Sequence, residues 1–119
     1  MFKSVLEKIS RQVEGVLGAL IVARDGIIIE QVTASSEINF ELLAGEFAAI
    51  VKGLRRFARG AELGGAQEFC LQTDKARLLS MFITEEYYLL LVLDPSAGQG
   101  HARYELHKAH ILLENEFAG

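Results

Sequence analysis

The longest periodic segment of the chain runs from Asn39 to Glu62. Its apolar residues recur at spacings of three and four, which places them on one stripe of an α-helix that can cover a core. The stripe consists of Phe40, Leu43, Phe47, Ile50, Val51, Leu54, Ala58 and Ala61. Asn39 suits the amino-terminal cap of this helix, and we expect Gly64 and Gly65 to end it.

A second seam follows the same spacing on roughly the opposite side of this helix. It consists mostly of small residues: Leu42, Gly45, Ala49, Gly53, Arg56 and Gly60. A glycine inside a helix costs roughly 1 kcal/mol relative to alanine, which the close approach of another backbone would offset. Two interpretations stay open. The glycines are tolerated because the helix is anchored elsewhere, or the helix has two buried faces, one on its own sheet and one on a partner chain.

The rest of the pattern predicts two more helices and five strands. We expect helices over 1–13 and 102–117, and strands over 16–23, 27–32, 67–73, 77–84 and 87–93. Asp25 and Gly26 between the first two apolar runs are a strong hairpin signal. The first strand is apolar at successive positions, so both of its faces are expected to be covered. The fifth strand looks central.

The third predicted strand has a polar and an apolar side. Polar residues alternate there with Phe69 and Leu71, which is typical of a strand at the edge of a sheet. The complete order is helix, two strands, long helix, three strands, helix. It indicates one α+β domain over residues 1–119, with a five-stranded antiparallel sheet and helices on both faces.

Composition and charge narrow the classes of function. The 119 residues suit one domain, and the net charge of -4 gives no general attraction to nucleic acid or anionic lipid. No apolar run approaches the roughly 20 residues of a membrane span, so we expect no direct membrane insertion. Cys70 is the only cysteine, which suits a reducing compartment. These features predict a cytoplasmic protein.

Candidate chemistry in the sequence is weak. His107, His110 and Glu114 are spaced to converge on a metal, but a solvated helix face explains them better. Gly98 and Gly100 precede the last helix without a phosphate-binding motif, which favours a turn. Cys70 would be a nucleophile only beside a histidine, and its spacing shows none. We therefore predict no catalytic residue, metal or cofactor, and no enzyme.

One concentrated basic patch lies on the flank and back of the long helix. It consists of Lys52, Arg55, Arg56 and Arg59. Arginine can stabilise phosphoryl transfer in trans, and it is also enriched at protein interfaces. An interface or a solvated face is the favoured interpretation, and a catalytic arginine the less favoured one.

Three stretches resemble the Roadblock/dynein light chain family, and together they extend over nearly the whole chain. They are Gly15 to Gly26 at the first hairpin, Ala61 to Gly65 at the end of the long helix, and Tyr87 to Asp94 followed by Gly100 to Leu106. None of them is a catalytic signature, so the resemblance rests on their order and spacing. The family's fold has the same order of elements as the one predicted above.

The resemblance implies a dimer and a partner. In family members the long helices of two protomers pack together and the third strands pair edge to edge. On this chain the implied interface consists of Leu42, Gly45, Ala49, Gly53, Arg56, Phe69, Cys70 and Leu71. Members bind small Ras-like GTPases as regulators or scaffolds, and some are GTPase-activating proteins that do not insert an arginine finger.

The leading hypothesis is therefore a non-catalytic regulator or scaffold that binds a Ras-like GTPase as a homodimer or as a heterodimer with a related domain. Lys52, Arg55, Arg56 and Arg59 are the candidate contacts to the GTPase. The alternative is a small-molecule-sensing or general dimerisation domain. The identity of the GTPase does not follow from the sequence.

Overall fold

The computed structural model describes residues 2–118, and its elements follow the predicted order. Met1 and Gly119, the ends of the predicted domain, lie outside the described residues. The helices are α1 (Phe2–Gln12), α2 (Phe40–Gly60) and α3 (Gln99–Ala118). The strands are β1 (Val16–Ala23), β2 (Ile28–Thr33), β3 (Glu68–Gln72), β4 (Arg77–Phe82) and β5 (Tyr87–Leu93). Every strand agrees with its predicted range to within two residues at each end.

The five strands form one antiparallel sheet in the order β2-β1-β5-β4-β3. The predicted central position of β5 and edge position of β3 are both confirmed. Residues 19–22 of β1 are fully buried at successive positions, because helices cover both sides of that strand. The predicted α+β class, with five antiparallel strands and helices on both faces, is therefore confirmed.

Two separate cores hold the helices on the sheet. One face packs against α1 and α3, with Leu6 and Leu106 among its buried residues. The other face packs against α2, with Phe47 at its centre. Leu89 belongs to the first core and Leu90 to the second, because successive residues of a strand point to opposite faces.

The buried side of α2 is rotated relative to the predicted stripe. Ala44 and Ala48 are buried, whereas Ile50 is 44% exposed and Ala61 follows the helix in an exposed position. The prediction was wrong for Ile50 and Ala61. The reason is tertiary, because the β1–β2 turn packs on the small flank of the helix. A Cβ placed on Gly26 would lie 3.3 Å from the Cβ of Ala48.

Both ends of α2 are capped. The side chain of Asn39 accepts a hydrogen bond from the backbone N–H three residues on, at 3.1 Å, as predicted. The helix ends at Gly60, before the predicted glycine pair 64–65, so that prediction was wrong. The N–H groups of Glu62 and Leu63 donate back to its last turn at 3.0 and 2.8 Å, the two bonds of a Schellman motif. Glu62 adopts the left-handed φ of 60° that glycine usually supplies.

The edge strand β2 contains a β-bulge. Val22 pairs with Ile28, but the preceding residue of β1, Ile21, pairs with Glu30. Ile29 is therefore an extra residue on β2 without a partner on β1. A bulge bends its strand and interrupts regular pairing, so this edge of the sheet is distorted.

Candidate functional site

The predicted small-residue seam lies on the exposed side of α2. All six of its members are exposed: Leu42, Gly45, Ala49, Gly53, Arg56 and Gly60. A Cβ added at any of the three glycines would meet nothing within 4 Å. Packing within the chain therefore gives no reason for glycine at these positions.

Large apolar side chains lie within this seam and beside it. Leu42, Ile50 and Phe57 are 61%, 44% and 64% exposed, and their spacing of eight and seven residues places them on one side of the helix. We call them the apolar stripe of α2. The predicted core stripe wrongly included Ile50, and neither predicted face of the helix included Phe57, although both residues are spaced to lie beside the glycines. Exposed apolar patches mark interaction surfaces more often than isolated apolar residues do.

The free edge of β3 presents regular backbone groups. Phe82 N–H donates to the carbonyl of Gln67 at 2.9 Å, and Thr73 N–H donates to the carbonyl of Ala76 at 2.8 Å. Residues of an antiparallel strand alternate between facing one neighbour and the other. The N–H and C=O groups that face away from β4 therefore belong to Glu68, Cys70 and Gln72.

The side chains of β3 point into two different environments. Phe69 and Leu71 are partly buried against the core under α2, and their backbone N–H and C=O groups face β4, so neither residue offers a hydrogen-bonding group at the free edge. Cys70 is exposed on the side of α3, where its Sγ lies 3.5 Å from Nε2 of Gln99. The thiol of Cys70 thus has a polar contact with the side-chain amide of Gln99.

The four basic candidates line one groove. Lys52, Arg55, Arg56 and Arg59 face a space of about 930 Å³ between α2 and the β1–β2 and β4–β5 turns. We call it the basic groove. Its other lining residues are Arg24, Asp25, Gly45, Ala48, Ala49, Val51, Gly60 and Glu85.

Two of these arginines are held by the β4–β5 turn. Arg55 donates to the carbonyl groups of Thr84 and Glu85 at 3.2 and 2.9 Å, and its guanidinium lies over the ring of Phe82. Arg59 forms an ion pair of 2.7 Å with the side chain of Glu85. These contacts fix the turn on α2, so Arg55 is a structural residue whatever else it contacts.

The other two basic residues are differently placed. Lys52 and Arg56 are exposed, and neither forms an ion pair or a hydrogen bond within residues 2–118. They lie four residues apart, one turn along the same side of the helix, with Cβ atoms roughly 5–6 Å apart in this geometry. Lys52 and Arg56 are therefore the basic groups of the groove that no contact within residues 2–118 engages, whereas Arg55 keeps its charge but is held by backbone carbonyl groups.

Tyr88 lies within electrostatic reach of the groove. It is fully buried on β5, and its hydroxyl has no hydrogen-bond partner within residues 2–118. Burial raises the pKa of Tyr88 to about 12, with the positive charge of Arg55 lowering it and the negative charge of Asp25 raising it further. The phenol is therefore neutral at physiological pH.

The histidines of α3 contact different groups. His107 Nε2 lies 3.6 Å from a carboxylate oxygen of Glu68, whereas His110 Nε2 lies 3.1 Å from the carbonyl of Phe82 and 3.7 Å from Glu114. Within residues 2–118 no three His, Cys, Asp or Glu side chains are grouped to hold a metal ion. No helix in that part of the chain has an apolar stretch that would cross a bilayer.

Known proteins resemble this chain in fold, as solved structures show, but not significantly in sequence. No family model matches the sequence, and no curated protein matches it significantly. Among solved structures, Myxococcus xanthus MglB superposes with a TM-score of 0.90 at 17% identity, covering 98% of this chain and 94% of that one. A Roadblock/LC7 domain from Streptomyces avermitilis gives 0.86 at 12% identity, covering 98% of each chain.

A third similar structure is MglC from Myxococcus xanthus. Its TM-score is 0.70 at 26% identity, and the likeness covers 97% of this chain and 98% of MglC. All three likenesses cover at least 97% of this chain. They confirm the resemblance seen in the sequence, and the chain is a protein of the Roadblock/LC7 fold.

Proposed function

We propose that this protein is a non-catalytic, dimeric regulator or scaffold that binds a small Ras-like GTPase in the cytoplasm. The observation that carries the proposal is the outer side of α2, where exposed glycines lie beside the exposed apolar stripe. The Roadblock resemblance implies GTPase binding, and the likeness to MglB and MglC supports the same assignment. We therefore assign a Ras-like GTPase to this surface as its partner. Fully buried side chains fill both faces of the sheet, which favours the regulator over a sensor that holds a ligand between sheet and helices.

The dimer would use two features of each protomer. The seam around Gly45, Ala49 and Gly53 lets two α2 helices approach closely, and burial of Ile50 and Phe57 stabilises the contact. The free edge of β3 offers a second set of contacts through its backbone. A two-fold axis between these elements creates a composite surface that one protomer alone does not present.

The GTPase would bind where the basic groove meets this composite surface. Arg56 belongs to both the seam and the groove, so it links the two surfaces. Arg55 and Arg59 are engaged by the β4–β5 turn, which is consistent with activation by reshaping the GTPase site without an arginine finger. Tethering of the GTPase uses the same contacts without changing its nucleotide state.

A pull-down from a source lysate tests the proposal. Purified protein is used as bait in parallel with GDP and with a non-hydrolysable GTP analogue. Recovery of a Ras-like GTPase in one nucleotide state indicates a regulator, and recovery in both states indicates a constitutive scaffold. If a folded, dimeric bait recovers no GTPase in either state, the proposal is wrong.

A further inference from the structure

The basic groove has a positive charge that the rest of the chain does not share. Five basic residues line it, against the two acidic residues Asp25 and Glu85. Of the 12 basic and 16 acidic residues in the chain, 7 basic and 14 acidic ones therefore lie elsewhere. Such local positive potential on an acidic protein attracts an acidic partner to one place.

Only part of this charge is available to a partner. Arg24 and Arg59 form ion pairs with glutamates, and Arg55 donates to backbone carbonyl groups. Lys52 and Arg56 have neither kind of contact within residues 2–118. These two side chains therefore form the recognition pair of the groove.

The floor beside this pair is made of small residues. Gly45, Ala48, Ala49 and Gly60 line the groove, and a Cβ added at Gly45 or Gly60 would meet nothing within 4 Å. Gly45 and Ala49 also belong to the proposed dimer contact, so a partner's backbone can approach α2 closely at Gly60, which that contact does not use. The volume of about 930 Å³ exceeds what one bound anion occupies.

The position of the groove on α2 disfavours phosphate. Phosphate sites commonly use free backbone N–H groups at the amino-terminal end of a helix. This groove lies along residues 45–60, where the N–H groups are bonded within the helix. Side-chain contacts to separate carboxylates fit this arrangement better than contacts to one compact polyanion.

We propose that the basic groove binds an acidic polypeptide segment, with Lys52 and Arg56 each contacting a carboxylate of that segment. The inference rests on the proposed function, because the segment is assigned to the bound GTPase. It goes further by separating the four basic candidates: Lys52 and Arg56 recognise the partner, and Arg55 and Arg59 hold the groove wall.

The first probe is a synthetic peptide of alternating glutamate and alanine, added to the isotope-labelled full chain and followed by NMR. We expect saturable shifts of the Gly45 and Gly60 amides. The variant Lys52→Glu with Arg56→Glu should weaken peptide binding about tenfold or more, since a rim attraction becomes a repulsion. The neutral pair Lys52→Gln with Arg56→Gln should give an intermediate loss.

A matched control separates this site from overall charge. Lys3→Glu with Lys75→Glu alters the net charge by the same amount at exposed residues outside the groove lining, and it should keep the wild-type affinity. Equal loss in the control, or no peptide-induced shift in the groove, would overturn the inference. Shifts caused by inorganic triphosphate but not by the peptide would also overturn it.

The same variants are then measured against the GTPase recovered by pull-down. A tenfold loss with Lys52→Glu and Arg56→Glu, but not with the control, supports the assignment of the segment to the GTPase. Unchanged GTPase affinity in that variant overturns the assignment. If the wild-type chain binds the peptide but recovers no GTPase, the proposed function fails while the groove's preference for carboxylates stands.

Discussion

The guanidinium carbon of Arg55 lies 4.8 Å from the centroid of the Phe82 ring, while its nitrogens donate to the carbonyls of Thr84 and Glu85. One side chain thus joins α2 to the β4–β5 turn. We expect Arg55→Ala to lower the free energy of unfolding by about 1–3 kcal/mol, because the cation–π contact and both hydrogen bonds are lost. Arg56→Ala should change it by no more than about 0.5 kcal/mol. Urea unfolding compares the two, and equal effects would contradict the assigned role of Arg55.

Glu62, two residues beyond the end of α2, is a position where a substitution should stabilise the chain. Glu62 has a φ of 60° at the position of a Schellman motif where glycine is usual. Glu62→Gly should raise the free energy of unfolding by roughly 0.5–1 kcal/mol, since it relieves the steric cost of a left-handed residue. Glu62→Ala removes the same charge but keeps the Cβ, so it should give no such gain. Thermal or urea unfolding that ranks the two variants equally would contradict this account.

The raised pKa of Tyr88 predicts how the free energy of unfolding changes at alkaline pH. The folded state keeps the phenol proton up to a pKa of about 12, whereas the unfolded chain releases it near the ordinary value of 10.0. The folded state therefore binds more protons in this range, and the free energy of unfolding falls as the pH rises through it. The loss attributable to this group is up to about 3 kcal/mol.

The matched variant for this measurement is Tyr88→Phe. It removes only a hydroxyl that has no hydrogen-bond partner in the described chain, so the packing against Phe47 and Phe82 is kept. The difference in stability between wild type and variant should shift in favour of the variant between pH 10 and pH 12. A constant difference across that range would show that the phenol is not held neutral by burial.

Alanine variants distinguish the two explanations for the glycines of α2, which are either merely tolerated or in contact with a second protomer. In the chain alone, Gly45→Ala and Gly53→Ala should each stabilise the helix by roughly 1 kcal/mol, because the added methyl group meets nothing. If two α2 helices pack at these residues, the same variants should also weaken dimerisation in sedimentation velocity. Gly100→Ala in α3 provides the control without a role in the proposed interface. Greater stability with unchanged dimerisation would favour the interpretation that the glycines are merely tolerated.

The edge of β3 can be tested with proline. The N–H of Cys70 faces away from β4, so Cys70→Pro removes no hydrogen bond of the sheet and the fold should persist by circular dichroism. Edge-to-edge pairing with a second β3 should be weakened. Leu71→Pro removes a donor to β4 and should destabilise the chain itself. A Cys70→Pro variant that dimerises like wild type would exclude pairing through this N–H group.

Local chemistry explains which elements the sequence predicted well. The ranges of β1 and β5 follow from uninterrupted apolar runs, and Asn39 caps α2 through a contact only three residues away. Ile50 was misassigned because α2 has apolar residues around much of its circumference. Which flank meets the sheet depends on the β1–β2 turn, whose packing is tertiary.

Contacts between residues far apart in the chain explain why the sequence did not predict the different roles of the basic residues. Arg55 and Arg56 are adjacent and chemically identical, yet only Arg55 reaches Thr84 and Glu85, about 30 residues further along the chain. The left-handed conformation of Glu62 likewise depends on the path from α2 to β3, and not on any preference of glutamate. The sequence therefore predicted the basic patch but not the different roles of its members.

The two edges of the sheet are unequal, and this limits the architecture of any assembly. The bulge at Ile29 breaks the repeat of β2, whereas β3 presents regular outward groups at Glu68, Cys70 and Gln72. A sheet that can be extended at one edge only is complete once two copies have joined, since neither copy has a second regular edge to offer. If two copies pair through β3, the bulge on β2 thus disfavours further growth into an open fibre.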